Sequence, residues 1–198
     1  MLSALPQKIL SRISNKFVSP QAMLAEIGVQ PGQSILELGS PIGFFAHAAL
    51  EAVGAQGSVY AAGPTSESLE SLGHFKHHEN FRPVLLRDIL SGKTVPLHAI
   101  DVVILTNLLS NAMHPGDFCI SIVQYLKPGS EVVLMDWDSQ DESVGPSKSQ
   151  RVTREAAIKL LSQCGLEFTR VLKTPGYHYG VAFRATGQAD LKSGNLEA

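Results

Sequence analysis

Short, mainly apolar runs at 34–38, 58–62, 81–87, 100–105 and 131–137, the fourth almost continuous, alternate along the chain with segments whose apolar residues recur every three or four positions. Runs of that length predict strands buried on both faces of a parallel sheet, and the spacing between them predicts helices. Ser19-Pro20 reads as an N-cap and first-turn proline ahead of Ala22, Met23 and Ile27, with Gly28 as the stop. An alanine-rich helix is expected over 45–53, and another begins at Pro64-Thr65-Ser66-Glu67 and runs to Gly73. A third covers 115–126 with Phe118, Ile122 and Leu126 on one face and Lys127-Pro128-Gly129 as its terminator. Thr153 caps a fourth, which carries Ala157, Leu160, Leu161 and Cys164 and stops at Gly165. Two last β-like runs, 166–172 and 177–184, are separated by Lys173-Thr174-Pro175-Gly176 with no helix between them, so the sheet is expected to finish antiparallel. Pro83, inside the third run, belongs on an edge strand because it lacks an N–H for the ladder. The alternation predicts a doubly wound α/β sheet.

One stretch within this order carries chemistry. Ser34-Ile35-Leu36-Glu37-Leu38-Gly39-Ser40-Pro41-Ile42-Gly43-Phe44-Phe45 runs from buried strand through a glycine turn into a helix start. Glycines there let a backbone approach a ligand, and the helix start aims free N–H groups at the same place. The spacing is Gly-x-x-x-Gly and not the Gly-x-Gly-x-x-Gly of dinucleotide sites, so a tight turn with no ligand is a second reading of the same residues.

Composition narrows the field. The 198 residues are 44% hydrophobic and 17% charged with a formal charge of −2, an ordinary globular balance that fits one domain. No basic run or stripe indicates nucleic acid, and no segment reaches the apolar length of a membrane span. The N-terminal stretch is interrupted by Pro6 and followed by Lys8 and Arg12, unlike a signal peptide, so a cytoplasmic location is expected. Cys119 and Cys164 fall in helical patterns without metal spacing and read as reduced packing residues. His74, His77, His78 and Glu79 match no zinc helix motif and read as a solvated loop. Residues 1–18 carry Leu5, Ile9, Leu10, Ile13 and Phe17 at helical spacing, an amphipathic segment to pack on the domain or to join copies of the chain in a homo-oligomer. Residues 19–185 form the domain, and 186–198 read as a disordered tail.

Leu36-Glu37-Leu38-Gly39, Leu126-Lys127-Pro128-Gly129 and Tyr177-His178-Tyr179-Gly180, in this order of elements, resemble the class I S-adenosylmethionine-dependent methyltransferases. Within that class the chain is most similar to the small ubiquinone and menaquinone biosynthesis methyltransferases. The resemblance spans about residues 20–185 and implies a seven-stranded sheet of order 3-2-1-4-5-7-6 with strand seven antiparallel. It also implies S-adenosylmethionine at the carboxyl ends of the strands, where open α/β sheets place ligands. Carried over by position, Glu37 would face the methionine end of the cofactor, while Gly39, Ser40, Pro41 and Gly43 would lie against it. Asp88, with Ile89 beside it, would hydrogen-bond the adenine amino group, and Thr106 and Asn107 would line the lip nearest the methyl donor. Read from the residues alone, Asp88 is equally a strand-end cap on Leu90 or Ser91.

Two positions depart from the family pattern. Pro41 stands where the glycine turn usually has glycine, removing a donor. Gly63 stands where the family places a ribose-binding carboxylate, and Glu67 is the nearest acid that could reach back. A hydrogen bond to a charged group is worth roughly 1.5–3 kcal/mol, so that loss would weaken cofactor binding by about tenfold to a few hundredfold. The expected function is methyl transfer to a small-molecule acceptor. The alternative is a non-catalytic binding or assembly protein of the same fold. A nicotinamide-dependent oxidoreductase is disfavoured by the glycine spacing and the missing ribose acid. Asn107, Asp136 and Asp138 are the acceptor-side candidates. Trp137, Tyr177 and His178 stand either in the packing or at the acceptor pocket. The polar run 138–149 reads as a mobile loop.

Overall fold

The computed structural model describes residues 18–39, 42–92, 94–111, 115–138, 144–174 and 176–187. Residues 1–17 of the expected N-terminal amphipathic segment at 1–18, nearly all of the expected tail and the turn residues Ser40 and Pro41 lie outside the described residues.

The chain runs α1 (Pro20–Ile27), β1 (Ser34–Gly39), α2 (Ala46–Val53), β2 (Ser58–Gly63), α3 (Ser66–Glu70), β3 (Phe81–Leu85), α4 (Leu86–Leu90), β4 (Ile100–Thr106), α5 (Pro115–Val123), β5 (Leu126–Trp137), α6 (Arg154–Gln163), β6 (Leu166–Leu172) and β7 (His178–Ala185). The seven strands form one sheet of order β3-β2-β1-β4-β5-β7-β6. Strands β1 to β5 are parallel, and β7 runs antiparallel to both β5 and β6. The expected topology is therefore the observed one, and Pro83 does sit on the edge strand β3.

Burial on both faces explains the mainly apolar runs. Ile35, Val102, Ile104 and Val133 pack under α1 and α2, whereas Leu36, Leu38, Val103, Leu105, Val132 and Leu134 pack against α5 and α6. The caps follow the sequence signals. Ser19 accepts from the Ala22 amide ahead of Pro20, and Thr153 accepts from the Ala156 amide. Thr65 and Ser68 form a reciprocal capping box, so α3 begins one residue after Thr65 and is only five residues long.

Three element boundaries differ from expectation. The third strand ends at Leu85, because Leu86 and Ile89 turn onto the core at helical spacing, and Asp88 lies inside α4 instead of following a strand. Helix α5 ends at Val123 and not at 126, because Tyr125 leaves it to bury its ring fully and donate to the Ile89 carbonyl at 2.5 Å. Lys127-Pro128-Gly129 therefore lies within β5, where the pairing with β4 shifts register between Ile100 and Val102.

Candidate functional site

Four buried side-chain atoms among the described residues have no hydrogen-bond partner: Glu37 Oε2, Thr106 Oγ1, His178 Nδ1 and Tyr179 Oη. Glu37 and Thr106 come from the carboxyl halves of the central strands β1 and β4, and His178 and Tyr179 open β7 opposite the end of β5. Native interiors pair nearly every such atom, so Glu37, Thr106 and His178, on one face at one edge of the sheet, mark a place built to receive polar ligand groups, while Tyr179 faces the other side. The large cleft at the opposite edge, about 580 Å³ and lined by Gly54, Gly57, His77, His78, Glu79 and Arg82, gathers none of these atoms. In the histidine cluster His74, His77 and Glu79 are exposed and His78 is half-buried, and among the described residues no group of three ligating side chains could hold a metal.

Glu37 is only 2% exposed, set between Ala61 of β2 and Ile104 of β4. Its Oε1 accepts from the Phe45 amide at 2.9 Å, at the start of α2. Burial pushes the carboxyl from 4.5 up to about 7, opposed by the amides of Phe45 and Phe44. A folded-state value above the unfolded one favours the protonated form, so the group's contribution to stability is complete below 4.5 and is lost as pH rises to about 7. The size of that loss is about 3 kcal/mol at 1.4 kcal/mol per unit. Glu37→Gln removes the titration. Denaturant unfolding at pH 5 and pH 8 is expected to show the variant gaining about 3 kcal/mol relative to the parent between the two, and parallel pH profiles would refute the assignment.

Gly39 closes β1 with φ +138°, and a Cβ there would overlap the Thr106 carbonyl oxygen and lie 2.5 Å from Thr106 Oγ1. The missing side chain keeps Glu37 and Thr106 side by side on one face. Gly43, at φ +74°, leaves room for Leu72. A Cβ at Gly63 would meet Ile42 Cδ1 and Ser68 Oγ, each at 2.5 Å. The space beside Gly63 is thus filled by the chain itself.

Asn107 follows β4 in the left-handed region at φ +49°, its amide bonded to the Met135 carbonyl at 2.9 Å. Its Oδ1 lies 3.0 Å from His178 Nε2. An amide oxygen only accepts, so Nε2 carries the proton and Nδ1 is the lone-pair nitrogen. Burial, with Asp136 opposing and Arg151 adding to it, holds His178 below the usual histidine range. Its ring packs on Trp137 at 4.4 Å. Of the acceptor-side candidates, Asp136 has its carboxylate taken up by the chain itself. It is fully buried and accepts from the Leu109 and Trp137 amides at 2.8 Å each, from the Ser110 amide at 3.4 Å, and from the Ser110 hydroxyl. Asp138 bonds the Tyr177 carbonyl through its amide, and its carbonyl accepts from Arg151.

Asp88 and Ile89 stand apart from this group. The Asp88 side chain is 37% exposed on the first turn of α4, 3.9 Å from Arg87, and its carbonyl accepts from the Ser91 hydroxyl. Ile89 turns its side chain into the core. Arg151 escaped the sequence reading altogether. It is 7% exposed and donates to the carbonyls of Asp138, Val144 and Pro146, while its guanidinium lies 5.6 Å from the Trp137 ring centre. With Gly145 closely apposed to Trp137, this holds residues 144–151 in place, which corrects the expectation of a mobile loop for that part of 138–149. A lone arginine after a polar run has no pattern that would have disclosed it.

No protein-family model matches the sequence, and no curated protein matches it. Solved structures do share its shape. A SAM-dependent methyltransferase from Aquifex aeolicus superposes with a TM-score of 0.74 at 20% identity, covering 86% of this chain and 91% of its own. An S-adenosylmethionine-dependent methyltransferase from Mesorhizobium loti gives 0.66 at 14% identity, covering 84% and 98%. An arsenic(III) S-adenosylmethionine methyltransferase from Chlamydomonas reinhardtii gives 0.62 at 15% identity, covering 93% and 71%. At these identities the likeness establishes a Rossmann-like methyltransferase fold. Among the described residues no helix is long and apolar enough to cross a membrane.

Proposed function

We propose that the protein is an S-adenosylmethionine-dependent methyltransferase acting on a small-molecule acceptor. The observation that carries this reading is the pair of unpartnered buried atoms, Glu37 Oε2 and Thr106 Oγ1, flanking side-chain-free Gly39 at the carboxyl ends of β1 and β4. A carboxylate and a hydroxyl placed there suit the ammonium of the cofactor's methionine end. The ribose end fits less well. Gly63 brings no carboxylate, and Ile42 and Ser68 fill the adjoining space, which supports a weakened site.

When bound, the cofactor supplies an electrophilic methyl group on a sulfonium sulfur. Methyl transfer is an in-line displacement, so the chain's task is to align donor with acceptor and exclude water. Glu37 and Thr106 would hold the methionine end, and Asn107, fixed by His178 and the β5 backbone, would form the lip between cofactor and acceptor. Trp137 and His178, held by Arg151, would wall the acceptor side. The lone pair on His178 Nδ1 is suited to accept a proton there.

Calorimetric titration with S-adenosylmethionine and S-adenosylhomocysteine tests the reading. Saturable heat in the micromolar to millimolar range is expected, and no heat at millimolar ligand would leave the non-catalytic alternative standing. If Asp88 receives the adenine amino group, Asp88→Ala is expected to weaken binding by about 1–3 kcal/mol, roughly 5- to 150-fold. Unchanged affinity would discard that role.

A further inference from the structure

Resting on the cofactor reading above, we propose that Glu37 recognises the cationic amino-acid end of its ligand by exchange, releasing its own buried proton to solvent as the ligand's α-ammonium takes the proton's place.

The geometry requires some such compensation. Glu37 is 2% exposed, and of its two oxygens only Oε1 has a donor, the Phe45 amide. Ionising a buried carboxyl held only by backbone amides, with no counter-charge, is costly, so the empty site favours the protonated acid. Among the described residues, no Lys or Arg side chain lies on α1, α2, α3 or the strands flanking Glu37 at its position. The neighbouring strand residues are Ala61 and Ile104. Helix α2 brings His47 and Glu51, both solvent-exposed on its outer face and 3.6 Å from one another. Glu26 on α1 is exposed and accepts from the Lys173 amide, and Glu67 and Glu70 on α3 are exposed. The upward displacement of the Glu37 carboxyl accordingly comes from burial, opposed only by backbone amides.

An ammonium arriving between Glu37 Oε2 and Thr106 Oγ1 changes this balance. It brings the missing positive charge and gives both unpartnered acceptors a donor. The step balances simply: neutral acid and cationic ligand become an ion pair, one O–H bond breaks, and one proton leaves for the buffer. No other bond changes. The exchange also selects ligands, since a nucleoside lacking the ammonium can neither displace the proton nor satisfy Glu37.

The test is calorimetric titration of the intact protein with S-adenosylhomocysteine in phosphate and in Tris, buffers of different ionisation enthalpy, at pH 6, 7 and 8. With a carboxyl near pH 7, release is expected to be about 0.9 proton per ligand at pH 6, about 0.5 at pH 7 and about 0.1 at pH 8, with affinity about tenfold weaker at pH 6 than at pH 8. Methylthioadenosine, which keeps the nucleoside and lacks the amino-acid end, is expected to release none, and Glu37→Gln is expected to abolish release with S-adenosylhomocysteine. Carbon-13 titration of the Glu37 carboxyl in the free protein gives a second reading that needs no variant. It is expected near pH 7 without ligand and below pH 5 with it. Saturable binding whose heat is the same in both buffers would overturn the exchange and leave the cofactor reading intact. Absence of binding heat from either ligand at every pH would overturn both.

Discussion

Gly39→Ala is expected to cost about 4–5 kcal/mol, enough to leave much of the protein unfolded or insoluble when produced at 37 °C. Two terms add. The backbone at this residue has φ +138°, a region closed to residues with a Cβ. The Cβ would also overlap the Thr106 carbonyl, which belongs to the neighbouring strand and cannot rotate away as a side chain would. Relief requires β1 and β4 to separate at the centre of the sheet, where Leu38 and Leu105 on either side are fully buried. Gly32→Ala is the control. Gly32 also has positive φ, +84°, but has nothing within 4 Å of a Cβ, so only the conformational cost of about 1–2 kcal/mol is expected. Equal losses for the two variants in urea unfolding would show that the strand contact has no energetic weight.

Asp136→Ala is expected to cost about 3–5 kcal/mol and to lower the melting temperature by on the order of 10 °C. The carboxylate is fully buried, and three backbone amides together with the Ser110 hydroxyl donate to it. Alanine strands these donors where water does not replace the anion. Asp136→Asn keeps an acceptor oxygen and is expected to lose about half as much. The same carboxylate holds the chain that leaves β4, so Asn107 and its bond to His178 depend on it. Ligand binding is therefore expected to weaken in Asp136→Asn even at temperatures where the variant is folded. A folded variant with unchanged cofactor affinity would separate Asp136 from the site.

Much of this was legible in the sequence because local signals and global packing agree. A run such as Val102 to Leu105 is apolar on consecutive positions only when both faces are covered, and that is how this part of β4 is buried. Ser19 and Thr153 announced their helices through caps, and Pro83 announced an edge. The carboxyl-edge placement of Glu37, Gly39, Thr106 and Asn107 followed from the order of elements. Boundaries failed where a distant partner outweighed a local signal. Tyr125 leaves its helix for the Ile89 carbonyl 36 positions away, and no helical spacing encodes that attraction. For Asp136 the sequence left open whether it is structural or faces the acceptor, because the Leu109 and Ser110 amides that bond it lie 27 and 26 positions earlier.

The sequence by itself determined the alternation of strands and helices, the edge position of Pro83 and the antiparallel finish, whereas the seven-stranded order came from the resemblance to class I methyltransferases. Hydrophobic period, caps and turn residues act over a few positions and are written in order along the chain. Only the tertiary structure decided that Ile42 and Ser68 fill the space beside Gly63, that Arg151 pins residues 144–151 over Trp137, and that Glu37 and Thr106 are buried without partners. Those outcomes depend on desolvation and on contacts between segments far apart in sequence, which exist only once the strands are paired.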